Sequence, residues 1–559
     1  MEKPRRRSRI VLTEKIFMRI EILKRSAVML YLTVVFSVFT IAQNTTSTLT
    51  GTTSDSDDIL PGAVVKLTEV ESGITYSAIS NQKGQFRITG LTPGGPYRLE
   101  VSYVGHKKSV IDIKRISLGE VYSCNVELTT GNELQEVIVK GQAAALRKTG
   151  SSESISAEDI DNKATVDRTL QDILAMSPYY IGSGSFGGRD GGMNNYSIDG
   201  ANFNANMGLD REKMPGAGTP FALEALEDIQ IVNSAFDVKN SNFMGATINA
   251  VTKKGTNTFR GSAYHFYKDE SLRGNRVDGE ELTSPRGDIK RTIYGLTLGG
   301  PIIKDKLFFF VSAELENTPL QLHQWQASKD GVEDGKNLIS RVTESDMKQF
   351  ASDLQSMYGW NPGSYNDFTG DNKFFRLMTR IDWNISKYHK LTLRYNQTNG
   401  KKDNSYSSPG MGMNDGRVSI YSMVFDGSNW KKVDNVYSLT GELNSRFGNN
   451  ITNTLRASFT FNDANNRECD AAFPCIEIMK PYDGDGKNHA YMSAGYDPYA
   501  WLNGINEKSW NVVDNMNISL GNHFLTVGAG FESTKASNCF MKYGAGYYRY
   551  ASYDDFLQK

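Results

Sequence analysis

The sequence predicts a mostly β chain in three units: a β-sandwich, an α+β domain, and an antiparallel sheet of the transmembrane-barrel kind, incomplete as it stands. Three observations predict it. The 559 residues hold 52 Gly, 27 Tyr and 27 Phe, a turn-rich, aromatic composition suited to β-structure. Short β-forming runs broken by turn residues fill the first part, and two-faced strands fill the last. The connections between those later strands alternate between short and long. Lys+Arg (62) balance Asp+Glu (63), which leaves no basic footprint for nucleic acid. At 39% apolar residues the chain is too polar for a polytopic helical membrane protein, yet too aromatic for disorder.

Residues 1–25 carry nine Lys/Arg, and an apolar run from Ala27 to Ala42 follows. This pattern is that of a signal peptide over residues 1–42, with Met18 as an alternative start. An inner-membrane anchor is the competing reading. Export leaves a β-barrel as the way to span a membrane.

Residues 48–128 alternate strand-like runs (Val64–Leu67, Ile74–Tyr76, Gln85–Ile88, Tyr97–Val101, Val121–Leu128) with turns such as Pro61-Gly62 and Lys83-Gly84. That spacing predicts a small sandwich. Gly51, Pro61-Gly62-Ala63, Gly84-x-Phe86, Gly90-Leu91, Gly94, Tyr97-x-Leu99 and Gly105 resemble the carboxypeptidase-regulatory-like domain, an accessory fold without peptidase activity. Asn81 and His106 depart from that pattern.

Glu133, Leu134, Gln135, Glu136, Val137, Ile138 and Val139 form a short β-capable segment between two domains (133–141). It is either the last strand of the sandwich, a linker, or a strand offered to another protein's sheet edge. The string resembles the TonB box of TonB-dependent receptors, which implies that these seven residues bind TonB and its inner-membrane motor.

Residues 150–255 look α+β. Ala157–Asn162 and Asp167–Ala175 read as helices capped by Ser156 and Thr165, Leu223–Ile229 as a helix, and Ile229–Val232 as a strand. Gly182-x-Gly184-x-x-Gly187 has dinucleotide-fingerprint spacing, but no helix opens after it. Ile198-Asp199-Gly200-Ala201, Leu226-Glu227-Asp228-Ile229 and Gly245-Ala246-x-Ile248-Asn249, with the elements before them, resemble the plug domain of TonB-dependent receptors. Tyr196 and Ser197 stand where that family has Arg-Gly.

From 258 to 559 the period is two. Leu377, Ile381 and Trp383 oppose Arg376, Met378, Arg380 and Asp382, and Leu455, Ala457 and Phe459 oppose Arg456, Ser458 and Thr460. One face suits lipid and the other water. About nine or ten strands of roughly ten residues are expected, with polar outer loops at roughly 268–289, 317–373, 399–433 and 463–508. Tyr264, Phe266, Tyr267 and Trp383 are candidates for the interfacial girdles. Thr252–Asn257 and Gly299–Phe309 resemble the barrel entry of Oar-like TonB-dependent receptors, whose barrels close with about 22 strands. The resemblance therefore implies a C-terminal truncation.

Cys469 and Cys475 are spaced to form a disulfide after export. Asp483-Gly-Asp-Gly lacks the later ligands of an EF-hand and reads as a polar turn. No catalytic or metal motif occurs, so no enzyme, cofactor or metal is expected. The expected function is TonB-dependent uptake of an unidentified extracellular ligand across outer-membrane lipid. The alternative is surface binding or adhesion without transport.

Overall fold

The computed structural model describes residues 45–558 except 132–136, 139–150, 166, 206, 208–213, 215–218, 235–236, 241–242, 283–289, 367, 407–415, 449, 470–472 and 522. The expected signal peptide lies outside the described residues.

The sandwich has two sheets. One orders Gln85–Leu91, Ser47–Ser54 and Val121–Ser123, with Val126–Glu127 also on Ser47–Ser54. The other orders Thr75–Ile79, Val64–Glu69, Tyr97–Ser102, Ser109–Ile113 and Val137–Ile138. Leu49, Val65, Leu67, Phe86, Leu99, Val101 and Ile111 alternate inward and form the core. Ser47–Ser54 escaped the sequence reading because its inward face is mostly small and polar. Gly51 explains part of that: a Cβ there would collide with the Cys124 carbonyl and the Phe86 ring.

The α+β domain is a five-stranded sheet ordered Ser152–Ser156, Leu226–Val232, Thr247–Thr252, Asn195–Ile198, Ala201–Asn202. Helix Ala157–Asn162 begins at Ser156 in a capping box with Asp159. The second helix is Leu170–Leu174, capped by Thr169 with Asp172 rather than by Thr165. Leu170, Ile173 and Leu174 pack on Ile229, Ile231 and Ile248. The expected helix at Leu223–Ile229 is only a 3-10 turn, Leu223–Ala225. From Leu226 the chain pairs on both sides, with Ser152–Ser156 and Thr247–Thr252, and this ladder overrides helical propensity. Gly182–Gly187 forms a tight hairpin, Tyr180–Gly182 with Ser185–Phe186, and no βα unit.

Nine antiparallel strands form the third unit: Arg260–Lys268, Arg291–Ile303, Leu307–Gln321, Thr369–Asn384, His389–Asn404, Trp430–Phe447, Ile451–Cys469, Gly504–Leu520 and His523–Cys539. All but Arg260–Lys268 are longer than the expected ten residues. The polar face is the buried one: Arg376, Arg380, Asp382, Arg394, Arg456 and Ser458 are all covered. Leu296, Leu298, Ile381, Trp383, Leu393, Leu439 and Val527 are exposed. Trp383 and Tyr267 point outward, as girdle residues should. Tyr264 and Phe266 do not: Tyr264 OH donates to Glu314 (3.0 Å), and Phe266 lies under Arg168 of the α+β domain, 3.7 Å from its ring centre. No helix among the described residues is long and apolar enough to cross a membrane, which says nothing of strands.

The outer connections are not merely polar. They fold into a domain with its own sheet, Met423–Val424, Lys487–Ala494, Cys475–Tyr482 and Tyr547–Tyr550, and helices Glu344–Tyr358 and Tyr553–Leu557. Phe350, Leu354, Phe425, Ile478, Met492 and Phe556 form its core. The Asp483–Gly486 stretch is its hairpin turn, where Asp485 accepts from the Lys487 N–H (2.9 Å).

Candidate functional site: where the α+β domain meets the wall

Asp199 is the hub. It and Gly200 turn the Asn195–Ile198/Ala201–Asn202 hairpin with φ of 49° and 75°, the left-handed conformations a two-residue Asp-Gly turn requires. Gly200 is needed for a second reason: a Cβ there would occupy the Arg456 guanidinium. The Asp199 carboxylate accepts from the Thr252 N–H (3.0 Å) and hydroxyl (2.7 Å). Its third partner is Arg394 of the wall, 2.9 Å away, and Arg394 also donates to the Asp199 carbonyl (2.9 Å).

The wall supplies the rest of the network. Arg380 forks onto Asp382 (2.7 and 3.0 Å) and donates to the Thr252 carbonyl (2.8 Å). Thr392 and Lys390 complete Asp382. Glu442 lies between Arg394 (3.7 Å) and Arg456 (3.6 Å). Apart from the half-buried Lys390, these charges are buried, so each depends on its partners for solvation. Higher on the wall, Arg376 donates to the Thr219 carbonyl (2.8 Å) while paired with Glu314 and Glu316. Thr398 and Asn396 both donate to the Pro220 carbonyl. Sequence reading placed Arg376, Arg380, Asp382 and Arg456 on the polar face but did not join them to Asp199. The signal available was unusual: three arginines on strand positions that alternate with lipid-facing residues.

The sandwich docks from the other side. Arg115 donates to Asp228 (2.9 Å) and to the Glu227 side chain (3.2 Å) and carbonyl (2.8 Å). Glu69 pairs with Lys254, Glu71 with Arg260 (2.7 Å), and Thr89 meets Thr452 at the start of a barrel strand (2.7 Å). Burial raises both Glu227 and Asp228 from their usual values; Arg115 opposes the rise at both, helped by Lys254 at Glu227 and by the Ser154 hydroxyl at Asp228.

Of the TonB-box-like residues, Val137 and Ile138 form a short parallel strand beside Ser109 and Val110, at the sandwich edge. Glu133, Leu134, Gln135, Glu136 and Val139 lie outside the described residues. The Cys469–Cys475 bridge is not formed. Cys469 ends a barrel strand opposite Trp430, whereas Cys475 opens a strand of the outer domain, where burial pushes its thiol up to about 12.

A polar-inside, apolar-outside sheet with a domain bonded to its inner face defines an outer-membrane barrel protein. Residues 251–324 and 336–558 match the family described as outer membrane beta barrel domain, and this chain belongs to that family. Residues 48–129 match the carboxypeptidase regulatory-like domain. The chain is 24% identical over 382 residues to the TonB-dependent transporter Oar of Myxococcus xanthus, covering 63% of this chain and 33% of that protein. It thus spans about a third of the length of the curated relative it matches. Among solved structures it resembles the outer membrane transporter YddB of Escherichia coli (12% identity, TM-score 0.46, 69% of this chain and 48% of that one). The siderophore receptor PirA of Pseudomonas aeruginosa is also similar (13%, TM-score 0.42, 70% and 49%).

Proposed function

We propose that this outer-membrane chain works as a TonB-dependent receptor, with the α+β domain as its plug, for uptake of an extracellular ligand into the periplasm. The observation that carries this reading is the buried network that ties Asp199 to Arg394 and Arg380 on the inner wall. Such a plug is removable in principle, because polar bonds can be exchanged for water, whereas a packed apolar seam would have to be torn open. TonB would take Glu133–Val139 by strand addition, drawing Val137–Ile138 from its sandwich edge. Tension would then reach Ser152–Ser156, an edge strand with one neighbour in the plug sheet. The outer domain would present the ligand surface, and no catalysis is assigned to the chain.

The test is calorimetric binding of a purified TonB periplasmic domain to the full chain. Binding is expected, and deletion of Glu133–Val139 is expected to abolish it without preventing outer-membrane insertion. Unchanged binding by the deletion variant would refute the TonB assignment. Surface adhesion without transport is favoured instead if the intact chain binds no TonB.

A further inference from the structure

A cavity of about 490 Å³ lies where the three units meet at the inner mouth of the sheet. The plug contributes Asp199 and Thr252, the wall Arg394 and Glu442, and the sandwich Tyr76 and Thr92. Arg394 Nε and Glu442 Oε2 are buried there without a hydrogen-bond partner among the described residues. A space lined this way suits water and polar solutes rather than being a packing void. On the periplasmic side the sandwich closes it, held by Thr89–Thr452, Glu69–Lys254, Lys390–Thr92 and Asn81 donating to the Gly521 carbonyl.

One carboxylate joins this closure to the plug's edge strand. Asp228 Oδ2 accepts from Arg115 Nη2 (2.9 Å) and the Leu118 N–H (3.1 Å), both of the sandwich. Asp228 Oδ1 accepts from Ser154 Oγ (2.5 Å), in the middle of Ser152–Ser156. Asp228 is fully buried, and Ser156 of the same edge strand pairs directly with it. Stripping that strand admits water to the carboxylate, and hydration then competes with Arg115.

We propose that the sandwich is the periplasmic gate of this chamber, and that peeling Ser152–Ser156 from the plug releases it through Asp228. The peeling step rests on the TonB reading above, but the closure does not. The order of events follows from the geometry. The edge strand leaves first, hydration of Asp228 next removes one of the three contacts that hold Arg115, and the chamber then opens to the periplasm while the Asp199 network still holds the plug's other end.

The test is chamber accessibility in the purified full chain, with no TonB present. Thr454, which lines the chamber, is replaced as Thr454→Cys in a Cys469→Ser, Cys539→Ser background, which leaves only the buried Cys124 and Cys475, and its reaction with a charged maleimide is timed. Slow labelling is expected in this parent, and labelling about tenfold faster after Arg115→Gln, as for a locally opened unit. Ser154→Ala is expected to accelerate labelling as well, by less. Far-UV dichroism checks that each variant keeps its fold. Equal rates in the parent and Arg115→Gln overturn the gate. Acceleration by Arg115→Gln with none by Ser154→Ala overturns the coupling through Asp228. Failure of TonB binding would leave both rates unchanged, so the two readings fail separately.

Discussion

Phe350 of the outer domain and Leu439 of the barrel wall are both large apolar side chains, yet Phe350 is fully buried and Leu439 is 55% exposed. The outer domain obeys the rule for water: rings of Phe350, Phe425, Tyr553 and Phe556 meet at 5.3–6.0 Å in its interior, and the charges buried there are paired, as Glu477 is with Arg417 and Arg549. The wall obeys the rule for lipid. Arg380, Asp382, Arg394 and Glu442 face the plug, and leucines such as Leu393 and Leu439 face out. The same alternation of residues therefore has opposite meanings a few nanometres apart, and the solvent decides which face is the core.

The largest expected effect breaks the wall's inner face. Asp199→Leu removes the nearest carboxylate of Arg394 and one partner of Arg380, at a cost of about 3–5 kcal/mol for a broken buried network. Hydrogen exchange over Asn195–Asn202 should rise while exchange in the sandwich core stays low. Exchange unchanged at that hairpin would show that the network does not hold the plug.

Phe350→Ala probes the other side of the comparison. A cavity in the outer core should cost about 3–5 kcal/mol. Proteolysis should then cut the outer domain, and the barrel strands should remain protected. If the strands are cut as readily, the outer domain is not an independent core.

Leu439→Arg sharpens the contrast. In lipid, a charge midway along a wall strand should cost about 2–4 kcal/mol, read as poorer folding into vesicles. An exposed leucine of a water-soluble surface would tolerate the same change within about 0.5 kcal/mol. A neutral result would mean that Leu439 faces water.

The smallest effect lies in the sandwich. His106 Nε2 meets Asp55 Oδ2 at 2.9 Å, and this bond raises the histidine above its usual value. The Asp58 N–H, then His106, hold Asp55 down at about 2. The histidine's contribution to stability is complete below its unfolded value of about 6.5 and is lost as pH rises through the raised folded value. The carboxylate's contribution is present above its unfolded value and is lost only as pH falls towards 2. Melting temperature should therefore drop slightly from pH 6 to 8, and His106→Gln should remove that slope. A slope that survives the substitution would assign it to another group.

Much of the fold was legible in particular residues. Ser156 marked a helix start that the structure reproduces, and Leu377/Ile381/Trp383 against Arg376/Arg380/Asp382 marked the two faces correctly. Leu226–Val232 was half misread because a buried central strand and an apolar helix share the same local composition. The outer domain was missed because its strands come from loops far apart in the chain, each too short to stand alone. Of the candidate site, Asp199-Gly200 was visible only as part of the plug resemblance, and Arg380, Asp382 and Arg456 only as members of a polar face.

The sequence by itself determined the period-two strands, the sandwich's turns and the amphipathic faces, since these follow from steric and hydropathic preferences of neighbouring residues. Only the tertiary structure decided that Asp199, Arg380, Arg394, Glu442 and Arg456 form one network, and that Asp228 serves two domains at once. A carboxylate looks alike in any sequence. Its role depends on what the folded chain places within hydrogen-bonding distance, and on whether water can reach it there.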